Sequence, residues 1–238
     1  MLADEGEPRV QSGGITAGIL LTGASLLRLI DFIAGELPLW RDRPDRKPVE
    51  SETALTSQLC AHMNSAARRS RWDFLQFRTE EPDEVVAGRK IDLVPAPSDA
   101  TVWVDGRRHV DFDPLIPIEC KRLPTPTGTS RDKREYLFSR HSSTGGVARF
   151  KAGHHGAGHA LGAMIGYVQA GSVSQWHAKL GHWVGALSRA KMAGWSSADM
   201  LLLDREDCAA RFALLRSQHA RQGALAAIDL RHLWIEMG

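Results

Sequence analysis

Apolar and polar positions change period along this chain, and the changes mark its elements. The stretch "ITAGILLTGASLLRLIDFIAG" is apolar but interrupted by Arg28 and Asp31. It predicts an amphipathic helix from about Thr16 to Glu36, docked on a core. A membrane span needs about 20 apolar residues with few charges, and a signal peptide needs a basic start. The leading "MLADEGEP" is acidic, so no membrane segment is expected. Residues 1–14 read as a loose arm, and "PLWRDRPDRKPVE" reads as a loop from its prolines and charges. Leu55, Leu59 and Met63 recur every four residues and predict a second helix from about Glu50 to Arg69.

From Trp72 the period falls to two. "WDFLQFRTE" sets Phe74, Gln76 and Arg78 against Leu75, Phe77 and Thr79, which predicts a strand. "GRKIDLVPA" predicts another. In "TVWVDGRRHVDF", Asp105-Gly106 between apolar runs predicts a hairpin. "PLIPIECKRL" predicts the next strand, and "PTPTGTSRDKREYLFSRHSSTGG" a mobile loop. "GGVARFKAGHHGAGH" mixes a short helix with a glycine- and histidine-rich turn, and "LGAMIGYVQAG" is a core strand. Trp176, Leu180, Trp183 and Leu187 predict a helix from about Val173 to Arg189, and "MLLLDRE", "FALLRSQHA" and "IDLRHLWIEM" three closing strands. The expectation is one α/β domain over residues 1–238, a sheet with helices on its faces and no internal repeat.

Composition changes this picture little. The 238 residues are 43% hydrophobic and 24% charged, ordinary for a globular chain able to bury its own core. A net charge of +2 does not by itself argue for nucleic acid, although the basic residues cluster. Cys60, Cys120 and Cys208 are scattered, which argues against a disulfide framework and a thiolate zinc site and for a cytoplasmic setting.

The chemistry concentrates in "IPIECKRL". Side chains alternate along a strand, so Glu119 and Lys121 share one face while Ile118 and Cys120 take the other. In "KIDLV", Asp92 likewise opposes Ile91 and Leu93. If the two strands pair, Asp92 and Glu119 converge. Buried together they cost several kcal/mol unless neutralised, and a divalent cation is the natural partner. Two carboxylates, the Cys120 backbone carbonyl and water form an oxygen shell suited to Mg2+ or Mn2+. Lys121 then orients or deprotonates a water, or steadies charge on a phosphate.

With "IDLV" followed by "PIECKRL", the chain resembles the PD-(D/E)xK nuclease superfamily, Asp92 matching the aspartate and Glu119-Cys120-Lys121 the ExK triplet. Ile91 stands where the pattern has proline. The resemblance covers roughly Glu50 to Arg189, leaving the first helix and the C-terminal strands outside. It implies a restriction-endonuclease-like mixed β-sheet flanked by helices, and metal-dependent endonuclease cleavage of phosphodiesters, in DNA before RNA. It also implies that Glu52, ahead of Glu50 as the match, joins the metal site from a helix, and that Gln169 joins from a later element. Phage defence, restriction, repair and mobile-element processing all use this chemistry, as homodimers or in multi-component systems.

Plainer readings stand beside these. Glu119 and Lys121 are also a surface ion pair, Asp92 a surface acid, Glu52 a first-turn helix acid and Gln169 a strand-end polar residue. Lys151, Arg122, Arg131 and Lys133 are candidate phosphate contacts, or a solvated basic face. His154, His155 and His159 read first as a structural turn, then as a substrate contact, and last as a zinc site, because Gly156 and Gly158 spoil a helix between them. Two other functions therefore stay open: a catalytically silent nucleic-acid-binding module, and a zinc-dependent enzyme using that cluster.

Overall fold

The computed structural model describes residues 18–83, 87–128, 131–140, 145–192 and 194–238. The arm expected over residues 1–14 lies outside them. A mixed seven-stranded sheet runs through the middle, in the order β2 (Leu75–Pro82), β3 (Lys90–Pro97), β6 (Ile118–Leu123), β7 (Leu161–Val168), β10 (Ile228–Glu236), β9 (Phe212–His219), β8 (Leu202–Asp207). The β6, β7 and β10 strands are parallel and the outer pairings antiparallel. A separate three-stranded sheet joins β1 (Ile19–Leu21), β4 (Val102–Val104) and β5 (Arg107–His109).

Alternation along the strands feeds two cores. On one face α1 (Gly23–Arg41) and α2 (Glu52–Ala67) pack Leu29, Ile33, Leu55, Leu59 and Met63 against Leu93, Ile118, Cys120 and Ile165. On the other, α3 (Gly146–Lys151) and α4 (Val173–Arg189) pack Phe150, Trp176 and Leu180 against Leu123, Met164 and Trp234. Glu119 and Lys121 thus lie on the α3 side of β6, opposite Ile118 and Cys120. At Gly166, which pairs with Lys121 in register, an added Cβ would meet Trp234 Cδ1 at 2.5 Å. The glycine lets that indole lie flat beside the strand carrying the lysine.

Most expected elements form where the pattern put them, including the whole of α4. Asp105 and Gly106, both at positive φ (47° and 85°), make the two-residue turn between β4 and β5. Three expectations need correction. Ile19–Leu21 is a strand rather than helix, because the β4 edge offers it parallel partners. The first helix starts at Gly23 and runs through Pro38 to Arg41, past the expected end. Leu37 and Trp40 are buried there, and Arg41 Nη1 donates to the Ala210 and Glu236 carbonyls at 2.8 and 3.1 Å, so tertiary anchoring overrides the proline. No helix of the described residues is long and apolar enough to cross a membrane.

The third correction concerns the loop after β6. Within residues 131–140, Tyr136 and Leu137 are fully buried. The Tyr136 hydroxyl accepts from Trp234 Nε1 at 2.7 Å and bonds His232 Nδ1 at 2.9 Å, while Ser217 Oγ bonds both His232 Nε2 and His219 Nε2 at 2.7 Å. His219 Nδ1 continues the chain to Asp199 at 2.6 Å. A segment that reads as mobile from its polarity is thus pinned by one tyrosine and its neighbours. Tyr136→Phe strands a buried indole N–H and an imidazole, and should lower stability by about 1–3 kcal/mol in urea unfolding, with little change in the slope.

Candidate active site

The β3 and β6 strands align only at Leu93 and Ile118. Beyond that pair they part, and the Cys120 N–H loses its backbone partner. Asp92 fills the gap: its Oδ2 accepts that N–H at 2.8 Å. The opening thus brings a carboxylate into the sheet on the face that carries Glu119 and Lys121.

Lys121 gathers the rest. Its Nζ lies 2.9 Å from Glu119 Oε1, 3.0 Å from Glu52 Oε1, 3.5 Å from Asp92 Oδ2 and 2.8 Å from the Cys120 carbonyl. Glu52 reaches this point from the first turn of α2, where Ser51 caps the helix by accepting from the Ala54 N–H. Its other oxygen accepts from the Arg122 N–H at 3.2 Å, tying the helix start to the end of β6. The four oxygens expected as a metal shell therefore surround one ammonium. Glu119 is fully buried and its Oε1 also pairs with Arg149 of α3. Its Oε2 has no hydrogen-bond partner. His155 Nε2 stands 3.5 Å from that oxygen, and His155 Nδ1 stands 3.7 Å from Asp83 Oδ2.

The electrostatics follow from burial and proximity. Burial, then the field of Glu119, raises the Asp92 carboxyl above its ordinary range. Burial alone would lower the Lys121 ammonium, but Glu119, Asp92 and Glu52 together hold it well above its usual value. In this arrangement the three acids favour the ammonium form of Lys121, which suits steadying negative charge, one of the roles expected for it. Three carboxylates (Glu52, Asp92, Glu119) face two such cations (Lys121, Arg149), so one negative charge is left unbalanced. Asp92 and Glu52 are about a quarter exposed and open onto a cleft of about 360 Å3, which Thr53, Thr56, Ser57, Thr79 and Glu80 also line.

The other expected site residues scatter. Gln169 does not reach the acids: its Oε1 accepts from Arg122 Nε at 2.5 Å and its Nε2 donates to the Glu50 carbonyl at 2.9 Å. It braces Arg122 in a neighbouring cleft of about 570 Å3. Lys151, expected at a phosphate, is instead buried in an ion pair with Asp199. Arg131 is exposed and loosely paired with Glu135 at 3.8 Å, and Lys133 is exposed. The three histidines diverge. His154 lines a cavity with Lys151 and Trp195, His155 faces Glu119, and His159 lines a cavity with Arg107 and His109. Among the described residues, no three His, Cys, Asp or Glu side chains are arranged to hold a metal ion: the histidines diverge, so the expected zinc cluster does not assemble, and the three acids close on the Lys121 ammonium instead.

Arg149 and Asp83 at the acid cluster were missed from the sequence, and His155, read as a turn residue, substrate contact or zinc ligand, was not connected to Glu119. Nothing in the spacing of "VARFKAGHH" shows that α3 and its following turn face Glu119. Asp199, His219 and Ser217 stand in the order of a hydrolase triad, but Ser217 Oγ is buried and shared between two imidazoles, so no substrate reaches it. Comparison with protein-family models, curated proteins and solved structures returns no match.

Burial, then the field of Arg149, lowers the His155 pKa from 6.5 to about 4. The unfolded chain therefore takes up this proton first as pH falls. The stability contribution is complete above pH 6.5 and is lost between 6.5 and about 4; a gap of that size corresponds to about 3 kcal/mol. His219 and His232 shift in the same direction. Urea midpoints should fall as pH drops through this window, and His155→Gln should make the fall shallower.

Proposed function

We propose that this chain is a metal-dependent nuclease that hydrolyses phosphodiesters, DNA before RNA, on a restriction-endonuclease-like arrangement of sheet and helices. One observation carries the reading: oxygens of Asp92, Glu119, Glu52 and the Cys120 carbonyl all lie within 3.5 Å of the Lys121 ammonium, which a metal ion would have to displace. The donor set is all oxygen, one negative charge is unbalanced, and Glu119 Oε2 is buried without a hydrogen bond. These features fit a hard divalent cation, Mg2+ or Mn2+. Asp92, Glu119 and the Cys120 carbonyl would hold it, with Glu52 assisting. Bound there, the ion supplies an activated water and offsets charge growing on the phosphate.

The protein's own groups do the remaining work. Asp92 and Glu119 are positioned by strand alternation and by the Cys120 N–H, and Lys121 would shift aside as an ion entered. Lys121, held towards its ammonium form by the surrounding acids, would steady the phosphate. Arg122, braced by Gln169, faces the adjoining cleft, where a nucleic-acid backbone can run. Three free cysteines fit a reducing compartment.

The position of Lys121 also favours a second reading. An ammonium already neutralises the acids, as it would in a silent module that binds nucleic acid without cutting it. Plasmid nicking with Mg2+ or Mn2+, run beside gel-shift binding, separates the two. On the nuclease reading, Asp92→Ala, Glu119→Gln and Lys121→Ala each cut nicking by at least about 100-fold, with circular dichroism unchanged and binding retained. Wild-type binding without cleavage under both metals would instead favour the module.

A further inference from the structure

Trp40, Arg46, Gln58 and His62 line one cavity of about 350 Å3, and each leaves a buried polar atom there without a hydrogen-bond partner: Nε1, Nη1, Oε1 and Nδ1 in that order. The cavity lies between the end of α1, the loop after it and one face of α2. Gln58, His62 and Ser65 share that face by their four- and three-residue spacing. Trp40 is 1% exposed and His62 8%, so neither can turn its atom to solvent. Buried polar groups in folded chains are nearly always bonded, and four around one space point to a ligand.

The set has a definite chemistry. The indole and guanidinium N–H groups only donate. Gln58 spends its Nε2 on the Lys47 carbonyl at 2.9 Å, which leaves Oε1 as an acceptor. His62 Nε2 bonds Glu36 Oε2 at 2.8 Å, so the neutral ring presents Nδ1 as a second acceptor. Arg43 is paired with Asp45 at 2.5 Å, whereas among the described residues Arg46 and Lys47 have no carboxylate within ion-pairing distance. The carbonyls that end α1 are already met, Trp40's by the Arg43 N–H at 3.4 Å and Arg41's by Arg46 Nε at 3.1 Å. Two unpaired cations and two donors suit an oxyanion, and two acceptors suit a hydroxyl beside it.

We infer that this cavity binds a sugar phosphate, with the phosphate on Trp40 Nε1 and the Arg46 guanidinium and a sugar hydroxyl on Gln58 Oε1 and His62 Nδ1. The Arg46 guanidinium carbon lies 5.3 Å from the Trp40 ring centre. A ligand reaches the indole N–H by lifting that side chain, which belongs to the loop between α1 and α2. The sugar phosphate has two sources, a nucleotide of a bound strand or a free small molecule. Arg46 links the cavity to the first, because it also lines the cleft that holds Arg122. The site itself does not rest on the nuclease reading.

Titration calorimetry of the intact protein with ribose 5-phosphate, in EDTA so that no cleavage intervenes, tests the site. Ribose 5-phosphate should bind, and ribose alone should bind at least about 10-fold more weakly. Trp40→Phe should weaken binding of ribose 5-phosphate by about 10–100-fold and Gln58→Leu by about 3–10-fold, with circular dichroism unchanged. If Trp40→Phe does not fold, Gln58→Leu and the comparison with ribose decide. Displacement of a labelled oligonucleotide by saturating ribose 5-phosphate assigns the site to a strand, and binding without displacement assigns it to a free sugar phosphate. No binding of ribose 5-phosphate by the wild type, or unchanged binding in Gln58→Leu, overturns the inference. Plasmid nicking by that same wild type would leave the nuclease reading standing.

Discussion

The buried ammonium of Lys121 is the constraint on which the site depends. It bonds acids from three elements: Asp92 on β3, Glu119 on β6 and Glu52 on α2. Without it, three carboxylates would face one another beside a core that admits little water. The strand opening between β3 and β6 has the same origin. Their register stops at Leu93 and Ile118, and Asp92 takes over the Cys120 amide that the ladder gives up. Sheet geometry and site geometry are therefore one feature, since a continuous ladder would pair that amide with backbone and leave Asp92 no reason to turn inward.

The part of this that was legible in the sequence rests on period. Alternation alone fixed which faces Asp92, Glu119 and Lys121 share, because a strand allows only two. Helical spacing marked the bounds of α4, and Leu55, Leu59 and Met63 marked the buried face of α2. Longer-range effects were not legible. Ile19–Leu21 looks helical beside its apolar neighbours, and only the edge of β4, about eighty residues away, makes it a strand. The segment around Tyr136 looks like a polar loop because its anchors, His232 and Trp234, lie at the far end of the chain.

The same limit governs the side chains. Lys151 is basic and follows the site in sequence, yet its partner Asp199 belongs to a turn that no local pattern connects to it. Gln169 sits at the end of the strand beside β6, as the resemblance implied, but its hydrogen bonds run to Arg122 and the Glu50 carbonyl rather than to the acids. Arg149 and His155 do the reverse. They sit in a stretch read first as a short helix and a structural turn, and the packing of α3 under β6 delivers them to Glu119.

The cluster holds together by charge pairing, and its members depend on one another. Replacing a whole buried ion pair with packed apolar residues is often neutral or stabilising by about 1–4 kcal/mol, whereas removing one partner alone costs about 3–5 kcal/mol. Glu119 has charged and polar neighbours: Lys121 and Arg149 share its Oε1, and His155 Nε2 stands 3.5 Å from its Oε2. An apolar side chain at Glu119 would take one acid from the buried Lys121 ammonium and leave Arg149 without its partner. The chain also holds a carboxylate with one bare oxygen, an imidazole without hydrogen bonds, and an unbalanced charge. Each is a cost to folding, which the pairing around Lys121 and Arg149 has to offset.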